Sequence, residues 1–222
     1  MHTIESLAAV RELGRNVFKD TWTLRLFGAL VACDVAFIGV VAAKAFGLIW
    51  FHAGVGNVII AGQLVLVAVV LLSGWWHYRN AALASLAMVA ILLAVEKSFK
   101  FHNVLGVRLG EALAPIGLGI GIGQAIGFSA YLLGLGAVGF MTLMIGWRRS
   151  DRAGRAAILL LSTGFGIMAG TSIIADSAGT VLRILLSIDR DALARVEQGL
   201  ELFTVSMVLV LAVGVVRVGW QK

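Results

Sequence analysis

Six long apolar stretches run through the chain, at about 25–47, 57–76, 81–101, 127–147, 156–176 and 198–219. A shorter, more polar segment parts each from the next. An α-helix rises about 1.5 Å per residue, so roughly 20 apolar residues cross the hydrocarbon of a bilayer. The pattern predicts an all-α fold: a polytopic transmembrane bundle of six spans forming one integral membrane domain over 1–222. Ahead of the first span, Ile4, Leu7, Val10, Gly14, Val17 and Phe18 fall near one helical face, and Arg11, Glu12, Arg15 and Lys19 surround it. Residues 1–21 are therefore expected to form an amphipathic helix lying on the cytoplasmic membrane surface. Residues 177–198 are two-sided as well and predict an outer interfacial helix between spans five and six.

One stretch does not divide cleanly. Residues 112–147 carry no charge over 36 positions, which as one straight helix would be about 54 Å long against roughly 30 Å of hydrocarbon. An overlong helix, two crossings, or a short helix followed by one crossing would each satisfy the composition. Two crossings would put one basic terminus outside. The expectation is a short outer or re-entrant helix over 112–126, then a span over 127–147.

Composition agrees with the pattern. The chain is 60% hydrophobic and only 14% charged, with a mean hydropathy of +0.97, whereas a soluble domain is nearer a quarter charged. The net charge of +6 is explained by basic residues gathered on cytoplasmic loops. No stretch interleaves basic and aromatic residues on a soluble face, so no nucleic acid partner is expected. With both termini inside, eleven Lys and Arg lie on the cytoplasmic side against seven outside, and "WRRSDRAGR" (147–155) puts four arginines in one loop. The location expected is a bacterial-type inner (cytoplasmic) membrane with cytoplasmic termini. All six tryptophans fall near proposed span ends, where indole rings sit at the interface. A single cysteine, Cys33, excludes an internal disulfide and C-x-x-C chemistry.

Glycines supply the next signal. Gly119, Gly123 and Gly127 line one helical stripe, a spacing that lets helix backbones approach closely in lipid. The partners expected are the bilayer and, through these faces, a second copy or another membrane protein. The alternative is an irregular segment after Pro115 that lines a cavity, with Gln124 facing it. "GLGAVG" (134–139) matches a dinucleotide fingerprint only in letters, because that motif works between a strand and a helix of a soluble unit.

The ionisable residues carry the candidate chemistry. Asp34 lies about 13 Å into the first span by helical rise, where a charge must be neutralised, paired or wet. Glu96 stands near the outer end of span three. Lys100 is on its face, and His102 is six residues on, reachable only if the helix end unwinds. Asp176 ends span five on the same side, and Glu197 with Glu201 enters span six there. Asp34, Glu96, His102, Asp176, Glu197 and Glu201 thus form the candidate ion, proton or substrate site.

Three readings follow. The first is a proton- or cation-coupled carrier with an outward-facing acidic site, in which His102 is the pH-sensitive entry group. The second is a metal-dependent hydrolase with Glu96, His102 and Glu201 around a divalent metal such as zinc or manganese. The third is an assembly subunit packed through its glycines. No cofactor is required by the sequence. Haem is not expected, since His52, His77 and His102 offer no pair at one depth within the spans.

Overall fold

The computed structural model describes residues 2–45, 55–113, 115, 119–186 and 190–220. Within the helices, the side chains of 2–6, 41–45, 119–121, 172–186 and 190–197 lie outside that description. The elements are α1 (His2–Lys19), α2 (Thr21–Ala45), α3 (Val55–Tyr78), α4 (Ala81–Phe99), α5 (Phe101–Leu113), α6 (Gly119–Arg148), α7 (Arg152–Leu186) and α8 (Arg190–Val218). Six of them, α2, α3, α4, α6, α7 and α8, are long and apolar enough to cross a membrane. The chain is a helical membrane bundle.

Its centre is made by α3, α4, α7 and α8. Ile60, Leu64, Leu71, Leu83, Leu86, Leu161, Leu202, Val205 and Val208 are fully enclosed there. Lipid tails are as apolar as leucine, so close packing rather than water exclusion holds such helices together. Small residues make that packing tight: Gly74 lies against Val216, and Gly164 against Val208. α2 packs mainly on α8, while α6 packs on α4 and α5. Both are peripheral. Leu133, Phe140 and Met141 of α6 and Val35 of α2 are exposed, as lipid-facing residues are. Cys33 is exposed too.

Two helix starts cap each other. Asn80 leaves α3 in an extended conformation (φ −91°, ψ 123°), and its side chain accepts a hydrogen bond from the Ala82 amide at 2.9 Å, opening α4. The same side chain donates to Asp151 at 2.9 Å, and Asp151 accepts from the Gly154 amide at 2.7 Å, opening α7. Such caps satisfy amides that have no partner inside the helix. Arginines lie over tryptophans at this end of the bundle: Arg79 over Trp76 (4.5 Å), Arg217 over Trp22 (5.5 Å) and Arg155 over Trp147 (5.8 Å). Rings and cations belong together where headgroups meet water.

Three expectations differ from what the structure contains. α1 is amphipathic as predicted, but it packs on α7 and α8. Leu13 and Val17 are buried, with Val17 against Gly214, while Leu7 and Phe18 are exposed. Residues 119–126 belong to the same helix as the following crossing rather than to a short separate one. α5 ends at Leu113, and α6 is continuous from Gly119 to Arg148. Residues 177–186 continue α7 without a break instead of starting a new interfacial helix. The amino-terminal turns of α6 are supported by α5, whose backbone lies against Gly123 and Gly127.

Asp20 joins α1, α2 and α8. Its Oδ2 accepts from the Thr23 amide (2.9 Å), the Thr23 hydroxyl (2.6 Å) and Arg217 Nε (3.2 Å). The Thr23 hydrogen bonds, side chain first, hold its carboxyl below the ordinary 3.8 against the opposing effect of burial, and Arg217 adds a smaller lowering. A lowered folded-state value gives a stability contribution that is present above 3.8 and is lost as pH falls through the lowered value. Acidifying the detergent-solubilised protein below pH 3.8 should therefore lower its melting temperature. Asp20→Asn should start lower and show a flatter acid limb. Parallel melting curves against pH for the two proteins check this.

Candidate functional site

The site begins with one backbone residue. α4 stops at Phe99 because Lys100 adopts the left-handed conformation (φ 49°, ψ 47°), its amide bonding back to Glu96 O at 2.7 Å. That conformation is uncommon for a residue with a Cβ. The chain turns at once into α5, and His102 swings back over the end of α4. Its Nδ1 hydrogen-bonds Glu96 Oε1. From α6, the Tyr131 hydroxyl donates to Glu96 Oε2. Glu96 is 7% exposed. Phe128 closes the far side of the imidazole edge-on, with centroids 5.0 Å apart.

Glycines set this geometry. Any Cβ on Gly127 would lie 2.9 Å from Gly106 Cα, and one on Gly123 would lie 2.7 Å from Gly110 Cα. α5 and α6 therefore touch backbone to backbone within one chain, and they deliver His102 and Tyr131 to the same carboxylate. Gln124 is exposed on α6. The unbroken helix contains no irregular segment for it to line a cavity from.

Lys97, next to Glu96, points another way and pairs with Glu201 Oε1 of α8. Glu201 is 2% exposed. Gly56 of α3 faces Gln198, and Gly199 faces Ile38 of α2. These contacts place the α8 residues around Glu201 at the same end of the bundle as the end of α4. Glu96 and Glu201 are thus buried at one end, in adjoining clusters linked through the Glu96–Lys97 step. The predicted Glu96–Lys100 pair is not formed. Lys100 is exposed, its backbone taken up by the turn and Glu96 by His102 and Tyr131. Asp176 lies in α7 and Glu197 in α8, but their side chains fall outside the described residues. So do the surroundings of Gly119, and His52 entirely.

Asp34 sits apart from these groups. It is 3% exposed, and its carboxyl engages Ser206 of α8 and Gln63 of α3. Gln63 Nε2 donates to Ser206 Oγ at 2.9 Å. Ser206 stands five residues past Glu201 on α8, about 7.5 Å deeper by helical rise.

Among the described residues, no three His, Cys, Asp or Glu side chains converge as metal ligands would. Glu96, His102 and Glu201 were the predicted metal set. In the structure, Glu96 and His102 bond to each other and Glu201 meets Lys97.

Tyr131, Gln63, Ser206 and the partner role of Lys97 with Glu201 complete the site, and the first three were not predicted. A signal existed for them. A hydroxyl or amide inside an apolar span must find a hydrogen-bond partner, because lipid offers none. Each of the three interrupts an otherwise apolar run.

The chain matches no protein-family model, and no match to it was found among the curated proteins or the solved structures.

Proposed function

We propose that the protein is a proton- or cation-coupled carrier whose acidic site opens at the end of the bundle away from the termini. The observation that carries this reading is Glu96, a carboxylate enclosed inside a membrane bundle and held by a histidine and a tyrosine rather than by a lysine or arginine. An enclosed acid is costly in a bilayer, and such residues mark ion and proton paths. His102 is 24% exposed at its side chain and bonds directly to the carboxylate. It connects water to the buried acid. Glu201 and Lys97 lie next to this point, and Asp34 lies deeper. The basic residues at the opposite end support cytoplasmic termini in an inner membrane, so that the site faces outward.

The test uses the full chain in liposomes with a trapped pH-sensitive dye and an imposed pH gradient. Wild type should dissipate the gradient faster than protein-free vesicles, and Glu96→Gln should return the rate to that of protein-free vesicles. A wild type indistinguishable from empty vesicles, under both a pH gradient and a sodium or potassium gradient, ends the carrier reading.

A further inference from the structure

The Asp34 cluster has a hydrogen-bond deficit. Asp34 Oδ2 and Gln63 Oε1 are both buried and both lack a donor. The two side chains meet at Ser206, which is 1% exposed. Buried acceptors left without a donor cost on the order of 1–3 kcal/mol each, and a bare carboxylate in a bilayer costs more. Something supplies positive charge or a donor at this point.

Among the described residues the surrounding elements do not. α3 contains no Asp, Glu, Lys or Arg, and its one titratable side chain besides Tyr78 is His77 at the opposite end from Gly56. On α8 the nearest charge toward the far end is Glu201, an acid, and Arg217 is eleven residues the other way, held by Asp20. The charges of α1 near this junction, Arg11, Glu12, Arg15 and Lys19, are exposed. On α2 itself Arg25 is exposed nine residues away, and the side chain of Lys44, ten residues the other way, lies outside the described residues. A metal cation is poorly served too. Monovalent and divalent ions in membrane sites draw several ligands from unwound backbone, but α2, α3 and α8 run unbroken through Asp34, Gln63 and Ser206, so their carbonyls stay in the helices. Three side chains with one carboxylate are too few oxygens to replace a hydration shell. A proton needs only one.

We infer that Asp34, with Gln63 and Ser206, is the proton-binding site within the membrane, and that the coupling ion of the proposed carrier is H⁺ rather than a metal cation. The inference rests on the carrier reading for its coupling role. The step is a simple one. A proton from the aqueous phase forms an O–H bond at Oδ2, leaving the carboxyl neutral with a donor of its own, and the same bond breaks on release. No other bond changes.

Infrared difference spectroscopy of the protein in lipid, combined with the liposome assay, tests this. Wild type should show the C=O band of a protonated carboxylic acid that is absent from Asp34→Asn. Exchange of sodium for potassium at constant pH should leave the band unchanged. Ser206→Ala, which keeps the acid but removes its hydroxyl neighbour, should keep the band and shift its frequency. Asp34→Asn should slow proton flux to the rate of protein-free vesicles while eluting on size exclusion as wild type does. A band abolished by sodium, or no band sensitive to Asp34→Asn, overturns the proton assignment. Wild-type flux in Asp34→Asn alongside lost flux in Glu96→Gln overturns the deep site and leaves the carrier standing. Absence of flux in wild type with the Asp34 band present overturns the coupling role through the carrier reading itself.

Discussion

Replacing His102 by Leu and Tyr131 by Phe in one protein should destabilise it by about 3–5 kcal/mol, the usual cost of leaving a buried charge without its partners. Glu96 is 7% exposed, and the two residues removed supply its side-chain hydrogen bonds. Each single variant should cost less, since one donor remains. Adding Glu96→Leu to the double variant should recover most of the loss, because an apolar set of similar volume in place of a buried polar cluster is often neutral or stabilising. Denaturant titrations in detergent of the double and triple variants measure both values. The pair also separates two roles. If the cluster exists to hold α4, α5 and α6 together, the triple variant should be weak. If it exists for proton traffic, the triple variant should be stable and inactive in liposomes. The second outcome is expected, because backbone contact between α5 and α6, not Glu96, already joins those helices. A triple variant no more stable than the double would show that the carboxylate is not the stranded group.

How much of this could be read from the chain depends on the range of the interaction. The six spans are visible because each is a local run of apolar residues, and local composition decides whether a helix can enter lipid. The interface tryptophans and the basic end are local signals as well. Glu96 and His102 are legible as neighbours but not as partners, because on a straight helix six residues place them on different sides. Their contact depends on the left-handed turn at Lys100, and lysine gives no sign of such a turn as glycine would. Tyr131 is 35 residues from Glu96, and nothing in an uncharged run specifies which helix it faces. Gln63 and Ser206 are 143 residues apart and meet only because α3 and α8 pack. The continuity of α6 is hidden for a related reason. Its amino-terminal half is supported by α5, a partner that hydropathy along one segment cannot reveal.

The glycines of α6 give a prediction with its own control. Gly127→Leu should be strongly damaging. Even the first carbon added there meets Gly106 Cα at 2.9 Å, Leu105 O at 3.0 Å and Leu109 Cβ at 3.0 Å. Two of those atoms are backbone, so the helices must part rather than a side chain swing aside. Overpacking of this kind costs about 1–3 kcal/mol, and more where backbone has to move. Gly134, Gly136 and Gly139 lie on the same helix, and a methyl added at any of them would have nothing within 4 Å. Alanine at any of the three should leave the melting temperature unchanged or slightly higher, since alanine favours a helix interior over glycine by roughly 0.5–1 kcal/mol. Separation of α5 from α6 has a consequence beyond stability. His102 rides on α5 and Tyr131 on α6, so a wedge at Gly127, one helical turn before Tyr131, pulls Glu96's two partners apart together. Gly127→Leu should therefore lose proton flux even at temperatures where it remains folded, while Gly134→Ala retains it. Melting curves and liposome flux on the two variants check the claim. Equal behaviour of the pair would mean that the close approach at Gly127 does not position the site.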